Sequence, residues 1–308
     1  MPVISYVTTV YNKAEYLPAV VQSQFDQEGD FDREYIFVDD GSDDDSLAIL
    51  KQLIANREDC VLLSGENQGP SRATNKGIAL ARGEYIKLVD GDDILLDDMT
   101  RKLLDALQQD QFGVALGVKS SYRLASGAPI FNEPEKQTAA KLHRPLHKLF
   151  KNAFFTPTHM MFKRDLLKNE DACDERVYIQ DYSIALKLAH ITDFIIVPDA
   201  VFYAPEDAAN RMSHNVAQTL HDLNAAMFYF LSGQPDIDPE LSVYAARRAT
   251  GRAWRWALRE TRSWNVRAAA TRSYFRARTP FANSRKLDLI RRSCHVFQNG
   301  FAIKDPLR

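Results

Sequence analysis

Residues 85–99 read YIKLVDGDDILLDDM and place five aspartates directly after an apolar run: Asp90, Asp92, Asp93, Asp97 and Asp98. The apolar run has the length and composition of a buried strand. Crowded carboxylates repel one another and lower stability unless they face water, cations or hydrogen-bond donors. The stretch therefore indicates either a site for something cationic or a solvated acidic turn in which Asp97 or Asp98 caps the next helix.

Strand-like and helix-like segments alternate through the first hundred residues. Strands are predicted at 3–10, 35–38, 60–65 and 84–89, and helices at 14–24, 46–55 and 70–83. This alternation predicts βαβ units and an α/β fold with a mostly parallel sheet buried on both faces. Ligands of such sheets bind beyond the carboxyl ends of the strands. Two of these ends are acidic, one with Asp39 and Asp40 and the other with Asp90, Asp92 and Asp93.

A diphosphate bound at this acidic edge would be repelled unless a divalent cation lay between the charges. Mg²⁺ or Mn²⁺ suits this role, because both take oxygen ligands and bridge one or two carboxylates to phosphates. A D-x-D pair alone does not separate such a site from the solvated acidic turn.

The order of four segments is more specific: VTTVYNKAEYL (7–17), YIFVDDGSDDDS (35–46), ENQGPSRATNKGIALARGEYIKLVDGDD (66–93) and QDYSIALKLA (180–189). In this order and spacing they closely resemble the inverting family 2 nucleotide-sugar glycosyltransferases. The resemblance covers about the first two hundred residues. It implies the GT-A fold, a Rossmann-like, doubly wound, mixed sheet whose strands are mostly parallel.

The resemblance also implies roles for individual residues. Asp181 matches the family's catalytic base, which deprotonates the acceptor hydroxyl as it attacks the anomeric carbon. The alternative for Asp181 is an acidic residue stabilised at a helix N-terminus. The implied donor-binding residues are Thr9, Tyr11, Asp39, Asp40, Asn67, Arg72 and Asp90, and the implied metal ligands are Asp92 and Asp93 with Mn²⁺ or Mg²⁺.

Two positions depart from the family pattern. The residue before the base is commonly acidic and is Gln180 here, which removes one charge beside Asp181. The usual arginine just before Asn75 is replaced by Thr74, and Arg72 lies two residues earlier, about 200° away on a helix.

Three further side chains have weaker assignments. His214 lies where many relatives fold a loop over the diphosphate, so it is a candidate third metal ligand, and Arg211 is a candidate phosphate contact. The alternative for both is a mobile surface loop. His159 is a candidate acceptor contact, with ordinary packing as the alternative. His143 and His147 have the i,i+4 spacing of a zinc pair, but Pro145 between them argues against a regular helix.

The charge of the chain is uneven. Residues 244–292 carry thirteen arginines and one lysine against two acids, or +12, so the rest carries −14 of the net −2. On a helix, Arg248, Arg252, Arg255, Arg259 and Arg262 form one ridge. Ala246, Ala253, Ala257 and Trp264 are predicted on the opposite side, with Trp254 and Trp256 on the flanks.

Three partners are consistent with this arginine ridge. The first is the acidic body of the chain. The second is an anionic membrane, which basic interfacial helices contact, and the third is an anionic acceptor that the arginines would bind. Nucleic acid comes last, because no recognised binding motif accompanies the charge.

Together these features predict a metal-dependent inverting glycosyltransferase of hexosyl or hexosaminyl type. The predicted donor is a nucleotide sugar, namely a UDP-sugar, and the predicted acceptor is a hydroxyl of a cell-surface glycan or a lipid-linked acceptor in polysaccharide biosynthesis. The predicted segments are 1–235, with a nucleotide-binding half (1–100) and an acceptor-binding half (101–235), and a helical, arginine-rich extension (236–308).

Two other functions, a sugar nucleotidyltransferase and a non-catalytic nucleotide-sugar-binding protein, fit the sequence less well. A sugar nucleotidyltransferase needs a glycine-rich loop after the first strand, and TTVYNKAEYL contains no glycine. A non-catalytic nucleotide-sugar-binding protein has no use for Asp181. The sequence has neither a signal-peptide pattern nor about 20 consecutive apolar residues. We therefore expect a cytoplasmic protein that is peripheral at the inner face of the membrane if the ridge binds lipid.

Overall fold

The computed structural model describes residues 1–109, 111–134, 138–153, 156–167, 172–206, 215–299 and 303–304. The chain divides into two compact units that interleave along the sequence. The first, called the sheet unit, comprises Met1–Pro145, Phe155–Cys173 and Leu188–Ala209. The second, called the helical unit, comprises Leu146–Phe154, Asp174–Lys187 and Asn210–Arg308. The predicted division of the chain into segments 1–235 and 236–308 stays a prediction.

The sheet unit contains one mixed sheet. Its strands are β1 (Val3–Val10), β2 (Asp32–Asp39), β3 (Cys60–Ser64), β4 (Tyr85–Asp90), β5 (Ile94–Leu95), β6 (Val114–Ala125), β7 (Ala128–Phe131), β8 (Ala140–Leu142), β9 (Met160–Lys163) and β10 (Phe194–Pro205). They lie in the order β3-β2-β1-β4-β9-β6-β10-β5, with β7 beside β6 and β8 beside β10. Strands β1 to β4 are parallel to one another, and β6 is parallel to β10.

Antiparallel strand β9 joins the two parallel parts of the sheet. It pairs with β4 on one side and with β6 on the other. In the sequence this segment is an apolar run followed by basic residues, which predicts no partner. The observed sheet is the predicted mixed and mostly parallel one.

Helices cover both faces of the sheet. They are α1 (Leu17–Phe25), α2 (Ser46–Ile54), α3 (Pro70–Leu80) and α4 (Met99–Gln109). Side chains alternate along a strand. Ile4 and Tyr6 of β1 therefore belong to the core that includes α1 and α4, while Val7 faces α3. Gly77 of α3 allows this close packing, because a Cβ there would lie 2.4 Å from Val7 Cγ1.

The helical unit contains the remaining helices: α5 (Leu146–Lys151), the N-terminal part of α6 (Gln180–Ile191), α7 (Val216–Gly233), α8 (Pro239–Glu260), α9 (Trp264–Arg276) and α10 (Lys286–Gln298). Ala246, Ala253 and Ala257 of α8 are buried, which confirms the predicted small-residue face. Close-packed helices favour small residues at such a contact, because the two helix backbones can then approach each other.

The position predicted for Trp264 is wrong. α8 ends at Glu260, and Ser263 begins α9 by accepting a hydrogen bond from the Val266 N–H. Trp264 is therefore the first residue of a new helix and is 78% exposed. Among the described helices, none is both long and apolar enough to cross a membrane.

Candidate active site

The carboxyl ends of three parallel strands bring polar residues to one edge of the sheet. Thr9 of β1 is level with Asp90 of β4, and the next residue, Val10, is level with Asp39 of β2. Parallel strands require this result, because their carboxyl ends meet at the same edge. The two acidic stretches of the sequence are therefore neighbours across β1.

Two loops that leave this edge are tied together. The Asn12 N–H donates to Ser42 Oγ at 3.0 Å, and the Lys13 N–H donates to Ser46 Oγ at 2.8 Å. Asn12 has a positive φ of 53°, a conformation that asparagine tolerates better than most residues. Tyr11 is partly exposed, and its hydroxyl donates to Asp43 Oδ2 at 3.5 Å. The loop after β1 is thus held in place by the loop after β2.

Asp39 and Asp40 have different surroundings. Both oxygens of Asp40 accept backbone N–H groups, from Gln68 at 2.9 Å and from Gly69 at 2.8 Å. Burial raises the pKa of Asp40, and these two hydrogen bonds oppose the rise. Asp39 is 2% exposed, and its Oδ2 accepts from Ser64 Oγ at 3.3 Å and, more weakly, from Ser42 N–H at 3.4 Å.

The other carboxylate oxygen of Asp39, Oδ1, is buried and has no hydrogen-bond partner in the described part of the chain. Buried polar atoms without a partner are rare in folded proteins and call for an explanation. A ribose hydroxyl or a base imide N–H of a bound nucleotide would satisfy this acceptor.

The loop that Asp40 holds leads into α3. Gly69 precedes this helix with φ of 90°, which favours glycine. Asn75 exchanges hydrogen bonds with the Cys173 backbone, donating to the carbonyl at 3.1 Å and accepting from the N–H at 2.7 Å. Asn67 is exposed and Arg72 is half-buried. Gly69 and Asn75 therefore position the backbone, while the donor contacts assigned to Asn67 and Arg72 stay predictions.

The aspartates of the quoted stretch separate into two groups. Asp98 lies just before α4 and forms ion pairs with Lys102 at 2.9 Å and Arg101 at 3.8 Å. The backbone carbonyl of Asp97 accepts the Glu28 N–H. Asp97 and Asp98 therefore make contacts at the start of α4, where a side-chain cap by either stays a prediction, and Asp90, Asp92 and Asp93 remain at the strand edge.

Two side chains that the sequence analysis did not single out hold this second group. Lys13 Nζ lies 2.5 Å from Asp92 Oδ2. The Thr158 hydroxyl donates to Asp93 Oδ2 at 2.5 Å and accepts the Asp90 N–H at 3.0 Å. Thr158 belongs to the 3₁₀ turn Pro157–His159, just before β9. One buried hydroxyl thus fixes both ends of the D-G-D-D turn.

A buried lysine lies behind this turn. Lys87 of β4 is fully buried and donates hydrogen bonds to the backbone carbonyls of Thr158 and Met160. Burial lowers its pKa to about 7, and the nearby charges of Asp93 and Asp90 act in the opposite direction. Lys87 is the one apparent interruption in the apolar run YIKLV, and its partners are supplied by the turn before β9.

His159 is a packed, neutral side chain. Burial lowers its pKa to about 3, and its ring lies edge-to-face against Phe202 at 4.8 Å. Its Nδ1 accepts the Thr156 N–H at 2.8 Å. These contacts favour the packing role, and an acceptor contact for His159 stays a prediction.

The donor chemistry of the turn fits a hard divalent cation. Among the described residues, no group of three or more histidine, cysteine, aspartate or glutamate side chains is arranged to hold a metal. Mg²⁺, however, is commonly held by only one or two carboxylates plus substrate phosphates, and Asp92 and Asp93 carry such oxygens. Asp92 and Asp93, with Asp90 at the same turn, stay the residues predicted to hold the cation.

Asp181 belongs to the helical unit, as the second residue of α6. Its Oδ1 accepts the Tyr182 N–H at 2.7 Å. Desolvation by the surrounding protein raises the pKa of Asp181 to about 6, and the Tyr182 hydrogen bond works against this rise. A general base works best with a pKa near the operating pH, so the environment of Asp181 suits that chemistry.

The remaining histidine and arginine predictions divide into two groups. Arg211 and His214 lie outside the described residues. His143 forms an ion pair with Asp193, with Nδ1 and Oδ2 2.6 Å apart, and His147 stacks on Tyr244 at 4.2 Å. Each histidine of the i,i+4 pair therefore has a partner of its own.

Comparison with known proteins identifies the family. Residues 5–170, more than half of the chain, match the model described as Glycosyl transferase family 2. The chain belongs to glycosyl transferase family 2. The family prediction and its GT-A fold are thereby confirmed.

One curated relative and two solved structures are similar to this chain. The glycosyltransferase GlyG of Streptococcus pneumoniae is 30% identical over 206 residues, covering 62% of this chain and 68% of that protein. S. aureus TarS 1–349 in complex with UDP-GlcNAc superposes with a TM-score of 0.65 at 17% identity, covering 99% of this chain and 93% of that one. Mannosyltransferase PcManGT from Pyrobaculum calidifontis, in complex with GDP-Man and Mn²⁺, gives 0.57 at 16%, covering 96% and 86%. At such identities the two solved structures show the fold alone.

Proposed function

We propose that this family 2 glycosyltransferase transfers a hexosyl or hexosaminyl group from a UDP-sugar to a hydroxyl, with inversion at the anomeric carbon and with the help of Mn²⁺ or Mg²⁺. The hydroxyl belongs to a surface glycan or a lipid-linked acceptor. The observation that carries the donor assignment is Asp39 Oδ1, which is buried without a hydrogen-bond partner among the described residues, at the edge that also carries Asp90. Complexes of the related fold with UDP-GlcNAc support a nucleotide-sugar donor.

Each residue of the strand edge has a distinct task in this proposal. Asp39 accepts a hydrogen bond from the base or ribose, and Asp40 holds the loop that carries Asn67. Asp92 and Asp93 would hold the cation, which would act as a Lewis acid and neutralise the leaving diphosphate, and Asp90 would contact the donor. Thr158 keeps the turn in the geometry required for these contacts.

Asp181 acts as the general base. With a pKa of about 6 it is mostly ionised at neutral pH and still basic enough to take a proton from the acceptor hydroxyl as the new bond forms. Arg211 and His214 remain candidates for contacts to the diphosphate and to the metal.

The test is turnover with a panel of UDP-, GDP- and CMP-sugars, assayed by release of the nucleotide with Mn²⁺, with Mg²⁺ and with EDTA. We expect release from one UDP-sugar that needs the metal and falls at least about hundredfold in Asp92→Asn. Full activity in EDTA would contradict the metal role, and release of pyrophosphate from a nucleoside triphosphate would indicate a nucleotidyltransferase instead.

A further inference from the structure

α9 and the 3₁₀ turn that follows it carry exposed aromatic side chains. Trp264 is 78% exposed, Phe275 62% and Phe281 78%. Trp264 and Phe275 are eleven residues apart, close to three helical turns, so both leave α9 on the same side. We call these three side chains, together with the exposed arginines of the same segment, the aromatic-basic face; the arginines are Arg272, Arg276 and Arg285.

The segment that carries the aromatic-basic face is positively charged without any acidic residue. Residues 264–285 contain five arginines and no acidic residue. Within the described chain, the side chains of Arg272, Arg276 and Arg285 make no hydrogen bond or ion pair. Large apolar side chains exposed beside uncompensated cations mark an interaction surface rather than an ordinary solvated helix.

Other side chains of α9 anchor this helix within the helical unit. The Trp254 ring stacks on Tyr274 at 4.4 Å, and Trp254 Nε1 donates to Thr271 Oγ1 at 3.2 Å. The Arg278 guanidinium lies 3.5 Å from the Tyr274 ring centroid on the same stack. The aromatic-basic face is therefore presented by a well-anchored helix.

The predicted arginine ridge is interrupted, because Arg262 lies beyond the end of α8 and two of its other members bond within the helical unit. Arg248 donates to the Lys151 carbonyl at 2.6 Å, and Arg252 donates to Asn224 Oδ1 at 2.5 Å. Trp256 is buried against Phe297. Arg255 and Arg259 of α8 stay exposed, whereas α9 and the following turn expose aromatic side chains beside their arginines.

We propose that the aromatic-basic face docks this protein on an anionic phospholipid surface. Tryptophan and phenylalanine side chains favour the boundary between headgroups and acyl chains, and arginines favour phosphate-bearing headgroups. Each arginine near an anionic membrane contributes about fivefold in binding. This docking would set the location of the enzyme at a membrane, and it is independent of the transfer chemistry proposed above.

The test is co-sedimentation of the full chain with vesicles of phosphatidylcholine plus phosphatidylglycerol, compared with vesicles of phosphatidylcholine alone. We expect binding to the anionic vesicles only, lost as NaCl rises from about 0.05 M to about 0.5 M. Trp264 supplies a second measurement, because Trp254 and Trp256 are packed inside the unit. Its emission should shift to the blue on binding and be quenched by brominated lipid.

Two double variants and two matched controls locate the surface. Phe275→Ser with Phe281→Ser should weaken binding at least about tenfold, and Arg272→Glu with Arg276→Glu at least about 25-fold. The controls change exposed side chains of the sheet unit: Ile191→Ser, and Lys51→Glu with Arg101→Glu. Both controls should bind as the unchanged protein does.

Three outcomes would overturn the proposal. The first is no binding at low salt, and the second is equal loss in the face variants and the controls. The third is a homodimer in solution that the phenylalanine variant separates, without vesicle binding, which would make the face a contact between copies. Because no donor sugar is present in these experiments, a negative result leaves the transfer proposal standing.

Discussion

Lys13 Nζ lies 2.5 Å from Asp92 Oδ2, so a lysine from the loop after β1 neutralises the second aspartate of the D-G-D-D turn. Both side chains are largely buried, which reduces the screening of their attraction by water. The Lys13 backbone is fixed by its hydrogen bond to Ser46. A divalent cation that binds Asp92 must therefore displace this ammonium group or share the Asp92 carboxylate with it.

Lys13→Met should strengthen the binding of Mn²⁺ in the absence of nucleotide by about tenfold, because it removes a competing positive charge from Asp92. Mn²⁺ affinity can be measured by electron paramagnetic resonance of the free ion. Lys51→Met, at an exposed position of α2, is the matched control and should leave the affinity unchanged. Equal Mn²⁺ affinity in the Lys13 variant and the unchanged protein would contradict competition at Asp92.

Asp40→Asn should mainly lower stability, whereas Asp39→Asn should mainly weaken nucleotide binding. Asp40→Asn points an amide NH₂ at a backbone N–H, which should lower the free energy of unfolding by about 1–3 kcal/mol. Asp39→Asn should leave stability nearly unchanged but weaken binding of the donor nucleotide about tenfold to hundredfold, because its free oxygen is the acceptor. Denaturant unfolding and calorimetry with UDP measure the two effects. The reverse pattern would exchange the roles of the two carboxylates.

Asp181→Asn should stabilise the protein at neutral pH. The folded pKa of about 6 lies above the value of about 4 for an unfolded aspartate, so the folded state holds this proton more tightly between those values. Above pH 6 the ionised side chain destabilises the fold, by up to about 3 kcal/mol. The asparagine variant should therefore melt higher than the unchanged protein at pH 8, and the gain should shrink as pH falls towards 4. A constant difference across this range would show that the pKa of Asp181 is not raised.

Gly77→Ala should destabilise the sheet unit by about 1–3 kcal/mol, since the new methyl group would lie 2.4 Å from Val7 Cγ1. Gly65→Ala is the control, because a Cβ there meets no atom within 4 Å. Thermal unfolding of the two variants checks this. Similar melting temperatures would mean that α3 moves away from β1 without penalty.

Much of the sheet could be predicted from local pattern. β1 begins and ends at the predicted residues, Val3 and Val10, because a run of β-branched side chains is a strong strand signal. The helix predicted to start at residue 14 begins instead at Leu17, where Pro18 fits the first turn. Antiparallel β9 was not predicted, because pairing between residues far apart in sequence leaves no local periodicity.

The candidate site was predicted less completely. Its aspartates stand out as a motif, whereas Lys13 and Thr158 reach them from 79 and 65 residues away. Lys87 could have been singled out from the sequence, since a lysine inside a buried apolar strand must find hydrogen-bond partners. The break before Trp264 also left one: Ser263 is a good N-cap residue and separates two helical stretches.

The most direct test of the proposed chemistry compares Asp181→Asn with the unchanged protein, measuring both UDP-sugar binding and transfer to an acceptor. We predict unchanged donor affinity with a turnover number lower by about 10²- to 10⁴-fold, because the variant lacks only the group that takes the acceptor proton. The unchanged enzyme should also lose activity as pH falls below about 6, where Asp181 becomes protonated. Loss of donor binding in parallel with transfer, or full turnover in the variant, would contradict the assignment of Asp181 as the base.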